Sequence, residues 1–346
     1  MSVADLVSTA EALVAKGKGI LAADESAPTI KKRFDSIGVD STEDNRRFYR
    51  ELLFTTEGAS NFISGVILFD ETLRQLAGDG RSLSEVLLSE GIIPGIKVDA
   101  GAKDLAGFPG EKVTEGLDGL RDRYAEYREL GARFAKWRAV ITIGDAIPTS
   151  GCIQANAHAL ARYAALAQEA GLVPIVEPEV LMDGYHTIER CAEVTTATLD
   201  AVYKELAESR VVIEGTLLKP NMILSGKSCS TQAGVQQVAE ETIRVLKGSV
   251  PAAVPGIVFL SGGQSPEVAT AHLNAMNAIG GVPWELSFSF GRALQETTLK
   301  AWGGNPSNLD NAQQAFYHRA KCNGAARFGD YSDKMENTEV NSEVRG

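Results

Sequence analysis

Residues 173–179 read Val-Pro-Ile-Val-Glu-Pro-Glu, an apolar run that closes on two carboxylates set two residues apart. Val and Ile favour a pleated strand, and the strand period of two turns Glu177 and Glu179 to the same side. Charge at the end of a buried strand is costly unless it is paired or used. The arrangement recurs at 134–138, Phe-Ala-Lys-Trp-Arg, where Lys136 and Arg138 share a face. It recurs again at 211–221, Val-Val-Ile-Glu-Gly-Thr-Leu-Leu-Lys-Pro-Asn, where Lys219 closes the run. Surface ion pairs are the alternative, but the flanking Phe134, Trp137, Val173 and Ile175 speak for burial. Four charges from two strands are therefore expected to face one cavity.

Working outward, β-rich runs are predicted at 19–24, 62–70, 93–99, 134–141, 173–180, 215–223, 257–262 and 284–291. Segments with helical periodicity lie between them, such as 117–130 and 156–170, the second ending at Gly171. Strands alternating with crossover helices indicate a parallel sheet. Eight such units in 346 residues suit a single-domain (β/α)8 TIM barrel, although a doubly wound sheet can also hold eight strands. The strand ends favour the barrel. Asp24, Asp70, Lys97, Lys136 with Arg138, Glu177 with Glu179, Lys219, Ser261 and Arg292 all fall there. A barrel gathers those ends at one mouth, whereas an open sheet spreads them along a line. From about Ala325 the sequence turns polar, so the barrel is expected over 1–325 and a flexible tail over 326–346.

Composition narrows the function. A net charge of −11 argues against nucleic acid or an anionic membrane as partner, so an anionic substrate needs a local basic cluster. The N-terminal Met-Ser-Val-Ala-Asp turns amphipathic at once and no run of about 18 apolar residues occurs, which leads to a cytoplasmic expectation. Cys152, Cys191, Cys229 and Cys322 are scattered and read as reduced thiols. His158, His186, His272 and His318 lack the close spacing of a zinc site, so no metal is expected. No Gly-x-Gly-x-x-Gly or P-loop occurs, and no cofactor is expected.

Burial disfavours the ammonium form of a lysine, and a neutral amine attacks carbonyls, so Lys219 is read as a Schiff-base nucleophile. Ser261-Gly262-Gly263-Gln264-Ser265 and Ser289-Phe290-Gly291-Arg292 close the last two strands. Glycine lets backbone N–H groups approach an anion, Arg adds a charged fork, and this is a frequent phosphate site in barrels. An amine, a second lysine, two carboxylates and a phosphate rim suit carbon–carbon cleavage of a phosphorylated ketose through an imine.

At this point the chain resembles the class I, Schiff-base fructose-bisphosphate aldolases. The matching motifs are Gly-Ile-Leu-Ala-Ala-Asp-Glu-Ser (19–26), Gly-Ile-Lys-Val-Asp (95–99), Phe-Ala-Lys-Trp-Arg (134–138), Val-Pro-Ile-Val-Glu-Pro-Glu (173–179), Glu-Gly-Thr-Leu-Leu-Lys-Pro-Asn (214–221), Phe-Leu-Ser-Gly-Gly-Gln-Ser (259–265) and Phe-Ser-Phe-Gly-Arg-Ala-Leu (288–294). The resemblance implies that Lys219 forms the imine at C2 and that Glu177 is the general acid and base. It implies that Asp24 orients the C4 hydroxyl or takes its proton. Lys136 would polarise substrate oxygens and repel charge on Lys219, with Glu179 supporting the network. Ser261, Gly262, Gly263, Ser289, Gly291 and Arg292 resemble the C1-phosphate site, with Arg33 contributing. Lys97, Ser26 and Thr29 would hold the C6 phosphate, while Arg46 and Arg138 match further positions associated with substrate.

Phosphorylated ketose and triose substrates, glycolysis and gluconeogenesis, and a homotetramer are implied as well. Phe290 resembles plant-type members, which brings in sedoheptulose bisphosphate and carbon fixation. One mismatch stands out. Members of this family close with a tyrosine that folds over the site and assists proton exchange, whereas this sequence reads Glu-Val-Arg-Gly346, with Tyr331 its only tyrosine beyond Tyr317.

Overall fold

In the computed structural model, which describes residues 2–337, the predicted strands close on themselves. They are β1 (Gly19–Ala23), β2 (Ile63–Leu68), β3 (Ile93–Lys97), β4 (Phe134–Ile141), β5 (Val173–Val180), β6 (Leu217–Leu218), β7 (Gly256–Phe259) and β8 (Glu285–Phe290). Each runs parallel to its neighbour and β8 pairs with β1, which closes the (β/α)8 TIM barrel.

The register of β4 and β5 sets Lys136 beside Ile175, Arg138 beside Glu177 and Val140 beside Glu179. Tyr163, fully buried on helix Ser150–Glu169, pins these two strands. Its hydroxyl donates to Ala135 O at 2.8 Å and to Ile175 O at 2.9 Å, one residue before Lys136 and two before Glu177. That helix begins well before residue 156, the expected start. Thr149 caps it by accepting from Cys152 N, and Glu111 in turn accepts from Thr149 N and Oγ1, each at 2.7 Å. The other expected helix is shorter than 117–130, running Leu120–Glu129 behind left-handed Gly119.

At the end where the strands begin, Leu6, Ala10 and Leu13 of helix Val3–Leu13 pack on the inward side chains Ile20, Phe134, Val173, Ile175, Leu217 and Val258. Phe134 claims so much of this space that a Cβ on Gly95 would lie 2.3 Å from its ring, so β3 must carry glycine there. Each fully buried side chain of this size contributes about 1.5–3 kcal/mol.

Strand β6 departs most from its expected span of 215–223. Residues Ile213–Gly215 form a 3-10 turn, and Pro220 has no N–H to continue the ladder. Separate bonds replace it. Lys219 N donates to Val176 O at 2.8 Å and Leu260 N to Pro220 O at 3.1 Å. Val180 N donates to Asn221 Oδ1 and Ile223 N to Thr242 Oγ1, both at 2.9 Å. Lys219 is thus fixed immediately past the last regular pair.

The tail expected over 326–346 overlaps the described residues as far as 337. Helix Leu309–Ala326 runs through the expected boundary, and Arg327 then donates to Val14 O at 3.1 Å and to Glu285 at 2.6 Å. Buried Tyr331 donates to Glu336 at 2.6 Å, and Arg319 donates to the same carboxylate at 2.6 Å. A few buried polar anchors hold a segment too polar to be recognised by hydrophobicity. The rest of that expected tail, 338–346 with its terminal Gly346, lies outside the described residues.

Candidate active site

The C-terminal ends of the strands surround a cavity of about 870 Å³. Lining it are the sequence-predicted Asp24, Ser26, Thr29, Arg33, Lys97, Lys136, Arg138, Glu177, Glu179, Lys219, Ser261, Gly262, Gly263, Ser289, Gly291 and Arg292. They arrive there because the inward positions of the strands change from apolar to charged two residues apart, as from Ile175 to Glu177.

At the floor four charges alternate. Lys136 Nζ lies 2.7 Å from Asp24 Oδ2 and 3.2 Å from Glu177 Oε2, while Lys219 Nζ lies 3.3 Å from Glu177 Oε1. Lys136 and Lys219 are 3% and 4% exposed, so both side chains are almost fully withdrawn from the surface. Burial by itself raises the pKa of Asp24, but the Lys136 and Lys219 charges outweigh it and hold this carboxyl well below its usual range. Burial likewise works against the proton on Lys136. Asp24, Glu177 and Asp99 overcome it and lift Lys136 above the ordinary lysine value. The floor therefore holds a charged ammonium on Lys136 and a charged carboxylate on Asp24, paired with each other beside Lys219.

The rim carries further pairs. Arg138 Nε binds Glu179 Oε2. Lys97 Nζ binds Asp99 Oδ1 at 2.7 Å and Asp99 O at 2.9 Å, and Arg138 N donates to the other Asp99 oxygen at 3.2 Å. Ser26 and Thr29 hydroxyls are 3.2 Å apart at the start of helix Ala27–Asp35, whose last turn presents Arg33. Arg33 lies 3.3 Å from Glu25, a buried carboxylate that also takes Arg50 at 2.6 Å and Gln295 at 3.0 Å. Across the mouth, Gly262 and Gly263 adopt left-handed φ of 58° and 90°, open to glycine without strain, and leave the backbone bare toward the cavity. Ser289 Oγ is buried and has no protein partner.

Two expected residues are elsewhere, the first being Asp70, which opens helix Asp70–Arg74 and pairs with Arg74 at 3.0 Å instead of facing the cavity. Arg46 does not line the mouth. Its guanidinium is held by Glu71 at 2.7 Å, because helix Glu43–Phe54 directs it to the helix Asp70–Arg74 side. Conversely, Glu25, Asp99, Asp183 and Lys227 line the mouth without having been singled out. Asp99 and Glu25 sit inside quoted motifs, where their closeness to Lys97 and Asp24 was the available signal. Lys227 stands in the polar loop Ser-Gly-Lys-Ser-Cys-Ser, which has no apolar pattern to orient it.

Comparisons with known proteins point to one family. The family model described as fructose-bisphosphate aldolase class-I matches residues 5–345. A "probable fructose-bisphosphate aldolase class 1" of Xanthomonas axonopodis pv. citri is 61% identical over 330 residues, covering 95% of this chain and 99% of that one. Arabidopsis thaliana "fructose-bisphosphate aldolase 4, cytosolic" is 54% identical over 340 residues, covering 98% and 86%. The solved fructose-bisphosphate aldolase of Plasmodium falciparum, in complex with TRAP and a small-molecule inhibitor, superposes with a TM-score of 0.94 at 51% identity over 95% of each chain.

Proposed function

The chain belongs to the class-I fructose-bisphosphate aldolase family, and from that premise we propose that it cleaves fructose 1,6-bisphosphate reversibly through an imine on Lys219. The observation that carries the reading is a buried lysine whose Nζ stands 3.3 Å from the buried carboxylate of Glu177. Lys219 passes its ammonium proton to Glu177, and the freed amine attacks C2 of the open-chain ketose. Glu177, bridging both lysines, gives a proton to the departing C2 hydroxyl, and water leaves to form the iminium. The C4 hydroxyl donates to Asp24. Lys136 moves from Asp24 to a substrate oxygen, which restores enough basicity for Asp24 to take that proton.

The C3–C4 bond then breaks, its electrons pass to the iminium as an enamine, and glyceraldehyde 3-phosphate leaves. Protonation at C3 and attack of water at C2 release dihydroxyacetone phosphate and the free amine. The glycine turns with Ser261, Ser289 and Arg292 hold the C1 phosphate, and Lys97, Ser26 and Thr29 hold the C6 phosphate. Binding both ends places C2 over Lys219. Glu179 and Arg138 keep the network neutral at the rim, and Arg33 follows the C1 phosphate.

Lysine takes the electron-sink role in this scheme, so the reaction proceeds without a metal. In support, the residues that line the mouth include neither His nor Cys, and its carboxylates are engaged by Lys or Arg. The proposal extends to a cytoplasmic homotetramer serving glycolysis and gluconeogenesis, and sedoheptulose bisphosphate as a second substrate, on family grounds. Among the described residues no helix is long and apolar enough to cross a membrane. In an assay of triose phosphate release, turnover is expected to persist in excess chelator. Complete loss on chelation, restored by a divalent metal, would contradict the imine route.

A further inference from the structure

The loop after β6 is stitched to the loop after β5. Gly226 N donates to His186 O at 2.8 Å, Lys227 N to Met182 O at 2.7 Å and Ser228 N to Gly184 O at 2.9 Å. The contact is close enough that a Cβ on Gly226 would lie 2.4 Å from Gly184 O. The two loops make one backbone-fixed ledge on the rim, and Lys227 stands on it. Its ammonium meets Asp183 of the facing loop at 2.8 Å, with side chains 45% and 65% exposed. A pair so exposed adds little to stability and is readily exchanged.

Lys227 points at the same place as Arg292. From the position a Cβ on Gly263 would occupy, Arg292 Nη2 is 3.0 Å away and Lys227 Nζ 3.2 Å away. Arg292 has no carboxylate partner among the described residues. Two cations, one exposed carboxylate and the orphan Ser289 hydroxyl leave excess positive charge over a bare glycine turn. A carboxylate offers two oxygens to this set, whereas a phosphate monoester offers three and carries about −1.5 to −2 charges at neutral pH.

We propose that Lys227 is a specificity-determining residue of this subsite: it leaves Asp183 for the phosphate at the keto end of the sugar, making Asp183 a counterion that the substrate displaces. This rests on reading the ends of β7 and β8 as a phosphate subsite. The pair fixes the ammonium at the rim in the empty enzyme, and the exchange sets how tightly the phosphate end is held relative to an unphosphorylated one.

Inhibition of cleavage by inorganic phosphate tests this in wild type and in the Lys227→Met, Lys227→Arg, Asp183→Asn and Arg292→Gln variants. Lys227→Met should raise the inhibition constant about three- to tenfold, as expected for one partly exposed charge-assisted contact. KM should change more than kcat, Lys227→Arg should recover most of the loss, and Asp183→Asn should tighten inhibition. The proposal is overturned if Arg292→Gln weakens inhibition while neither Lys227→Met nor Asp183→Asn changes it. If Arg292→Gln also has no effect, the phosphate reading of the subsite itself fails.

Discussion

In the lower half of the barrel the inward side chains of β5 are Val173 and Ile175, and above them the same face carries Glu177 and Glu179. Strand β4 makes the same change, from Phe134 to Lys136 and Arg138, and β6 from Leu217 to Lys219. The lower half rests mainly on close packing of apolar groups, with buried Ser287 satisfied by donating to Lys18 O at 2.9 Å. The upper half holds charges whose burial costs free energy, and it exists because the lower half and the outer helices stabilise the strands that carry it. One backbone serves both because a step of two residues keeps the face and moves about 7 Å along the strand. Stability and reactivity should therefore separate when the two halves are altered one at a time.

The largest effect should come from Lys219→Met, which removes the proposed nucleophile but keeps an unbranched side chain of similar length. Steady-state assays should show at least about a thousandfold loss of turnover, with cooperative urea unfolding retained. Near-normal turnover in that variant would dissolve the distinction between the halves. Next comes Phe134→Ala, which opens a cavity against Gly95 and Gly65 and should cost about 3–5 kcal/mol in urea unfolding. A cost below about 1 kcal/mol would mean that the base does not support the mouth as described.

The acid response gives a smaller and more selective test. Asp24 is held below its usual range, so its contribution is complete above the unfolded carboxyl value of about 4 and fades only below it. Lys136 is raised, so its contribution is complete below the unfolded lysine value of about 10.4. Neither changes between pH 6.5 and 4. His272, outside the mouth, does. Burial pushes it from 6.5 down to about 4, with its Nδ1 bonded to Gln264 at 2.5 Å. As pH falls below 6.5 the unfolded chain takes up that proton first, so stability present above 6.5 is lost on the way to about 4. The share of that loss due to His272 should be roughly 2–3 kcal/mol and should be absent in His272→Gln, while His186 and His318, also pushed down by burial, keep theirs. Persistence of the whole loss in that variant would move its origin to other groups such as His186 and His318.

The sequence made the barrel legible because alternation and strand-end charge are local signals. Lys136 and Glu177 could be placed from strand period and Lys219 from its position at the end of an apolar run, and the structure brings them within ion-pair distance. Features set by distant contacts were hidden. The short β6 follows from Pro220 and from side chains of two helices, which no run of residues announces. Arg46 appeared to belong with the other arginines until the turn of its helix gave it to Glu71. Lys227 lacked any pattern because loop-to-loop backbone bonds, rather than a strand, aim it at the mouth. The hairpin Ala102–Asp104 with Lys112–Thr114 was missed because its strands are only three residues long and the first is wholly exposed.

The central claim is that the one charged floor of this barrel works through covalent attachment at Lys219. Borohydride reduction in the presence of dihydroxyacetone phosphate, followed by peptide mass mapping, reads this directly. The account predicts a stable adduct on Lys219 and none on Lys136 or Lys97. Active enzyme that yields no adduct, or an adduct confined to another lysine, would contradict it.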